Sequence, residues 1–224
     1  MKKIIGNPEK INDDLIDIIK KTKINDYYLK NKKDFRDKIL EEISQDDHVL
    51  DIGMAMREKH KKIKSATLET LDVNNFDEYP DIICDICSDI SGLEKKYDKI
   101  ICLAILEHVY NPFTAIQNLK LMLKENGIMY GFVPYLYNYH APVDLKFQDY
   151  FRFSKDSLSY LFKDFSYVEL YPLRGRLSSS FHMLFGNKWK RYIEKTRLNF
   201  FIDKFISDEI NFKQCSGFFF TVKK

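Results

Sequence analysis

Several acids and histidines of this 224-residue chain stand where short apolar runs end. Asp72 closes ATLETLD and Asp85 closes DIICD. Asp72 lies 19 positions after Gly53, the glycine that ends HVLDIG. When strands alternate with helices, ligands bind beyond the carboxyl ends of the strands. An acid at such an end can accept both hydroxyls of a ribose, which is the reading for Asp72. Asp85 can accept from an exocyclic amine such as that of adenine. The plainer reading of either acid is a turn-former that bonds its own backbone. His108 in LAILEHVY and His140 in YLYNYHAP follow later strand ends. A histidine so placed can act as a base toward a hydroxyl acceptor, with His140 the first candidate and His108 the second. A histidine on a connection is otherwise a surface residue. Of the four cysteines, only Cys84 and Cys87 are close in sequence, and no second pair or nearby histidine completes a zinc set. The thiols therefore read as buried and reduced, and no metal is expected.

The elements that must carry these residues follow from periodicity. HVLDIG, ATLETLDV, DIICDI, YDKIICLAIL, GIMYGFVP, FSYVELYPL and GFFFTVKK are seven strand-like runs. NPFTAIQNLKLML is helical: Asn111 can cap it, Pro112 suits its first position, and Phe113, Ile116, Leu119 and Leu123 fall near one face. Gly127 suits the stop of that helix. Ser154 can cap a further helix carrying Leu158, Leu161 and Phe162. Residues 1–45 read as helices laid over the core, with Ile11, Leu15, Ile18 and Ile19 on one face and Phe35, Ile39, Leu40 and Ile43 on another. The expected fold is α/β, a mainly parallel, seven-stranded Rossmann-like sheet with helices on both faces. The expected organisation is an N-terminal helical cover over 1–45 and one domain over 46–224, with a helical insertion at about 174–210.

The loop after the first strand, DIGMAMREK, has no GxGxxG and no Walker lysine-serine pair. A dinucleotide or nucleoside triphosphate is poorly served by it. A nucleoside ligand without phosphates needs only close backbone approach at Gly53 and the ribose acid, and S-adenosylmethionine is such a ligand. At this point the chain resembles a known family. Residues 48–134 resemble the class I S-adenosylmethionine-dependent methyltransferases. VLDIG is similar to the first motif, LDV to the ribose-binding strand end, and DIICDI to the strand end beside adenine. The run YDKIICLAILEHVYNPFTAIQNLKLMLKENGIMYGFVP is similar to the fourth strand with its Leu-Glu-His signature, the next helix and the fifth strand. VPYLYNYH and DYFRFS resemble the branch that modifies bacterial surface polysaccharides and sugars.

The resemblance implies a methyltransferase fold with S-adenosyl-L-methionine as cofactor. It implies Asp51 and Gly53 near the methionine part, Asp72 on the ribose, and Asp85 with Ile86 near adenine. Leu103 and Ala104 would line the floor, with Glu107 and His108 toward the acceptor. Asp149, Tyr150 and Arg152 resemble the branch's acceptor-side motif; their other reading is a turn before the helix at Ser154. Ala55 and Arg57 stand where the family usually has glycine, so Ala55 places a methyl group where backbone meets cofactor. Arg57 could pair with the cofactor's carboxylate or point to solvent.

Between Arg174 and Lys204 lie eight basic and two acidic residues, interleaved with aromatics including Phe181, Phe185, Trp189 and Phe201. This segment reads as a packed helical insertion. As a functional element it would be an acceptor cover, with Arg174, Arg176, Lys190 or Arg191 on a phosphate-bearing acceptor, or a peripheral membrane contact. The net charge of +3 does not suggest a nucleic-acid partner. No run is long enough to span a bilayer and the start lacks a signal-peptide core, so a cytoplasmic protein is expected. The leading expectation is O-methylation of a sugar or small glycan-precursor acceptor. The alternatives are a non-catalytic scaffold of the same fold and an RNA methyltransferase.

Overall fold

The computed structural model describes residues 8–26, 34–53, 55–63, 67–76, 78–141, 147–185, 192, 196 and 198–224. Among these, eight strands form one sheet: β1 (Lys23–Ile24), β2 (His48–Ile52), β3 (Thr67–Asp72), β4 (Ile82–Ile83), β5 (Tyr97–Leu103), β6 (Leu123–Pro134), β7 (Tyr167–Leu173) and β8 (Gly217–Lys223). Their spatial order is β4-β3-β2-β5-β6-β8-β7-β1. Strand β8 runs antiparallel to both β6 and β7, and the other pairings are parallel.

The alternation of side chains along the central strands builds two cores. Leu50, Ile52, Ile100, Cys102 and Met129 point to one face, where they meet Ile116 and Leu119 of α3 (Pro112–Met122) and Leu158 of α4 (Lys155–Leu161). Val49, Ile101, Leu103 and Tyr130 point to the other, against Phe35 and Ile39 of α2 (Phe35–Glu42). Burial on both faces explains why these strands read as unbroken apolar runs. Gly131 permits close approach of β5, β6 and β8: a Cβ there would lie 2.4 Å from the Cys102 carbonyl oxygen and 2.1 Å from Phe220.

The helix signals near α3 hold. The Asn111 side chain accepts from the Thr114 amide at 3.2 Å, and Pro112 opens the helix. Ser154 caps α4 through the Ser157 amide at 3.2 Å. Two expectations change. Helix α3 stops at Met122, five residues before Gly127, because Leu123 already takes extended geometry and pairs with Tyr97. Phe113 leaves the apolar face, is 54% exposed, and meets Tyr160 edge-on.

The sheet departs from the expected seven strands by one. After α1 (Pro8–Lys21), Lys23 and Ile24 pair in parallel with Glu169 and Leu170. Asn25 extends this join, its amide donating to the Leu170 carbonyl at 2.9 Å and its side chain to Glu169 at 3.1 Å. Two residues are too short to show a period of two, so the N-terminal segment read as helix alone.

Between β7 and β8 the described residues include three helices, α5 (Arg176–Leu184), α6 (Leu198–Asp203) and α7 (Asp208–Lys213). Asp203 anchors their base: its carboxylate accepts from the Gly175 amide at 2.7 Å and the Ser178 amide at 3.0 Å, while its carbonyl accepts from the Asn211 side chain at 3.0 Å. Lys190, Arg191 and Trp189 lie outside the described residues. No helix among the described residues is long and apolar enough to cross a membrane.

Candidate active site

A cavity of about 390 Å³ opens beyond the carboxyl ends of β2, β3, β4 and β5. Its first support is Gly53, at φ +76°, where β2 ends. The Gly53 amide donates to the Leu71 carbonyl at 2.9 Å, and its own carbonyl accepts from the Tyr79 hydroxyl. A Cβ at this position would lie 2.5 Å from Ile105, so φ and space both demand glycine. Ala55 lines the cavity beside it. Arg57 does not line it among the described residues; its guanidinium stands 5.5 Å from the centre of the Tyr79 ring, a cation–π distance.

One end of the cavity is acidic at its rim and apolar within. Asp72 is the last residue of β3 and lines the wall, as does Asp85, two residues beyond β4. Each makes the local turn that its residue type predicts. Asp72 Oδ1 accepts from the Asn74 amide at 2.8 Å, and Asp85 Oδ1 from the Cys87 amide at 2.8 Å. The turns orient the carboxylates, so the turn-forming and ligand-facing readings coexist in the same residues. Asp85 Oδ2 also accepts from the Tyr110 hydroxyl at 3.1 Å. Ile86, Leu103 and Ala104 line the same cavity, with Ala104 held at φ +56°.

Asp51 does not line the cavity. It is fully buried beneath, with Oδ2 2.6 Å from His60 Nε2 and Oδ1 without a hydrogen-bond partner. Burial pushes its carboxyl up to about 6, against the opposing pull of His60.

The opposite end gathers three residues from two separate connections. Glu107 and His108 sit in a short 3-10 turn, Leu106–His108, after β5. His140 lies on the connection after β6. The Glu107 side chain is fully buried, and neither carboxylate oxygen has a hydrogen-bond partner. Glu107 Oε1 stands 3.4 Å from His140 Nε2 and 3.8 Å from His108 Nε2, charge-pairing distances rather than formed hydrogen bonds. The Glu107 carboxylate holds the His140 pKa above the ordinary imidazole value, with burial opposing it. Both histidines line the cavity together with Phe147, whose ring centre is 4.7 Å from that of His108.

Asp149 and Arg152 build the frame behind His140 instead of lining the cavity. Asp149 accepts from the His140 amide at 3.0 Å and pairs with Arg152, which holds its carboxyl down at about 2. Arg152 also donates to the Asn138 carbonyl at 3.0 Å. The amides of Tyr150 and Phe151 donate to the Glu107 carbonyl at 2.8 and 3.1 Å, tying the two connections together; the Tyr150 side chain is exposed. Arg174, at φ +60°, and Arg176 follow β7, beyond β6 and β8, and neither lines the cavity. The sequence pattern does not single out Tyr110, Phe147, Asn74 or Tyr79 as site residues. Only Tyr110 carried a signal, standing two positions after His108.

No protein-family model matches the chain. A 36-residue stretch is 47% identical to the ubiquinone biosynthesis O-methyltransferase of Glaesserella parasuis serovar 5 (strain SH0165). That stretch spans 16% of this chain and 15% of the curated relative. Among solved structures, the chain is similar to one in a complex between the Haloferax volcanii Trm112 methyltransferase activator and a methyltransferase. The TM-score is 0.54 at 13% identity, over 84% of this chain and 88% of that one. The fold is that of the class I methyltransferases. Phosphoethanolamine N-methyltransferase 2 of Haemonchus contortus, solved with S-adenosyl-L-methionine, gives a TM-score of 0.51 at 13% identity, over 84% of this chain and 50% of that one. The [4+2]-cyclase SpnF gives 0.53 at 12% identity, over 95% and 92%.

Proposed function

We propose that this chain is an S-adenosylmethionine-dependent methyltransferase acting on a hydroxyl of a small acceptor, with a sugar of a surface-glycan precursor as the leading class. The observation that carries the reading is one cavity lined by Asp72 and Asp85 and by His108 and His140, with Glu107 buried against the two histidines. Its volume lies within the range of small-ligand sites, roughly 300–1,000 Å³.

The residues fit the cofactor. Asp72 offers a carboxylate at the ribose position, and Asp85 and Ile86 flank the space for adenine. The glycine backbone at residue 53 lets a ligand come close, and Arg57, held over Tyr79, leaves the cavity wall clear. When bound, S-adenosylmethionine supplies an activated methyl group on a sulfonium. The chain's part is alignment and proton handling. The apolar wall of Ile52, Leu71, Ile105 and Val109 excludes water. The histidine end holds the acceptor and assists the loss of its hydroxyl proton. Tyr137, with its ring centre 5.4 Å from that of His140, and Phe147 supply flat apolar faces suited to a sugar ring.

Calorimetric titration with S-adenosylmethionine, S-adenosylhomocysteine and NAD tests the reading. Heat from either adenosyl ligand and none from NAD is expected. Absence of binding by both adenosyl ligands at millimolar concentration overturns it.

A further inference from the structure

The histidine end of the cavity has the construction of a cation site. We propose that Glu107, His108 and His140 bind a divalent transition-metal ion that in turn binds the acceptor oxygen. Where the ion binds is argued from this chain's geometry alone; what it does there rests on the methyltransferase reading.

The three donor atoms lie within 4.8 Å of one another. Ligands ~2.1 Å from a common ion stand ~3–3.5 Å apart. The Glu107 Oε1 separations of 3.4 and 3.8 Å from the two Nε2 atoms are therefore close to those of a filled site. The opposite ring nitrogens are already committed. His108 Nδ1 is 2.8 Å from the Gln148 carbonyl oxygen, and His140 Nδ1 is 3.1 Å from that of Asn138. Donation to a carbonyl fixes each neutral ring in the tautomer that leaves Nε2 with its lone pair, the arrangement around metal-bound histidines. Both lone pairs then converge beside the same carboxylate.

Glu107 is the second, independent observation. A fully buried carboxylate with neither oxygen hydrogen-bonded is costly unless a cation compensates it. Arg152 does not serve, because Asp149 already pairs with it, and the groups that face the carboxylate are the two histidine Nε2 atoms, which the ion would engage together with it. Two imidazoles and one carboxylate suit zinc, cobalt, nickel or iron better than magnesium or calcium. Three protein ligands leave a position open, and both histidines border the cavity.

A hydroxyl bound at the open position loses its proton more readily, because the cation stabilises the resulting oxyanion. The O–H bond breaks heterolytically, its electron pair stays on oxygen, and the proton passes to water. The ion keeps its charge, and no oxidant or reductant takes part. Such a site selects acceptors with a second oxygen beside the hydroxyl, such as a vicinal diol, which can occupy the ion as a chelate.

The test uses full-length protein stripped with a chelator and titrated with Co²⁺, followed by visible d–d absorption and calorimetry. One Co²⁺ per chain is expected. Glu107→Gln and His140→Ala should each weaken binding by at least about tenfold. S-adenosylhomocysteine affinity, measured on the same samples, should stay unchanged. Should Glu107→Gln fail to fold, His140→Ala decides, since that side chain is partly exposed and its loss leaves no core cavity. No Co²⁺ absorption, or equal Co²⁺ affinity in wild type and the folded variants, overturns the site. Co²⁺ binding without adenosyl binding keeps the ion and removes the methyltransferase reading; the reverse keeps the enzyme and removes the ion.

Discussion

The two ends of the cavity are built by different means. The Asp72–Asp85 end hangs on the ends of neighbouring parallel strands, with Leu71 and Asp72 paired to Ile82 and Ile83. Its geometry follows from the backbone ladder and two local turns. The Glu107–His108–His140 end hangs on connections, and side chains far apart in sequence assemble it. Its frame is the Asp149–Arg152 pair and the amides of residues 150 and 151. The difference teaches that the first end takes its shape from strand pairing and from turns local in sequence, whereas the second depends on partners far apart in sequence.

The largest expected effect falls on the connection-built end. His140→Ala should lower turnover by about 10²- to 10⁴-fold at saturating acceptor while adenosyl affinity stays within error. Equal turnover would show that this end does not serve the acceptor, and the contrast between the ends would collapse. Asp72→Ala comes next. Hydrogen bonds to a charged acceptor contribute about 1.5–3 kcal/mol, so adenosyl affinity should fall more than tenfold, and further than in Asp85→Ala. Calorimetry on both variants decides, and a greater loss in Asp85→Ala would reverse the ribose and adenine assignments.

The smallest effect concerns Asp51, buried beneath both ends. Its neighbouring titratable groups are His60, Tyr79 and Cys102. The folded pKa of about 6 lies above the ordinary 3.8, so the folded state holds this proton more tightly than the unfolded state does. Stability from this group is therefore present at low pH and is lost as pH rises through about 6. Asp51→Asn should remove that loss, gaining about 2 kcal/mol over wild type at pH 8 relative to pH 4. Urea denaturation at the two pH values measures it, and parallel pH dependence in both proteins would exclude the assignment.

Legibility in the sequence followed the same division. All seven apolar runs contain strands, and the signature is most continuous in the central ones, such as β2 and β5, which are buried on both faces. Gly53 and Asp72 could be placed because a strand end is visible where an apolar run meets glycine or acid. Strand β1 could not, since Lys23 and Ile24 carry no pattern of their own. Nor could the approach of His140 to Glu107, 33 residues earlier, because the return path of a connection leaves no local period. Asp149 and Arg152 read either as acceptor-side residues or as a turn before the helix at Ser154, and they fold behind His140; spacing places residues near a site without saying which way they turn. Arg174 and Arg176 follow a strand end as the cavity residues do, but of β7, and strand order is a property of the whole sheet.

That order also governs how the molecule meets other copies of itself. A sheet of eight strands with an apolar interior invites growth by addition of a further chain at an open margin. Among the described residues both margins, β1 and β4, are two-residue strands. Each offers too few unpaired amides and carbonyls to template a neighbour. Lengthening either margin would extend the exposed ladder and favour self-association, so its brevity acts as protection against aggregation.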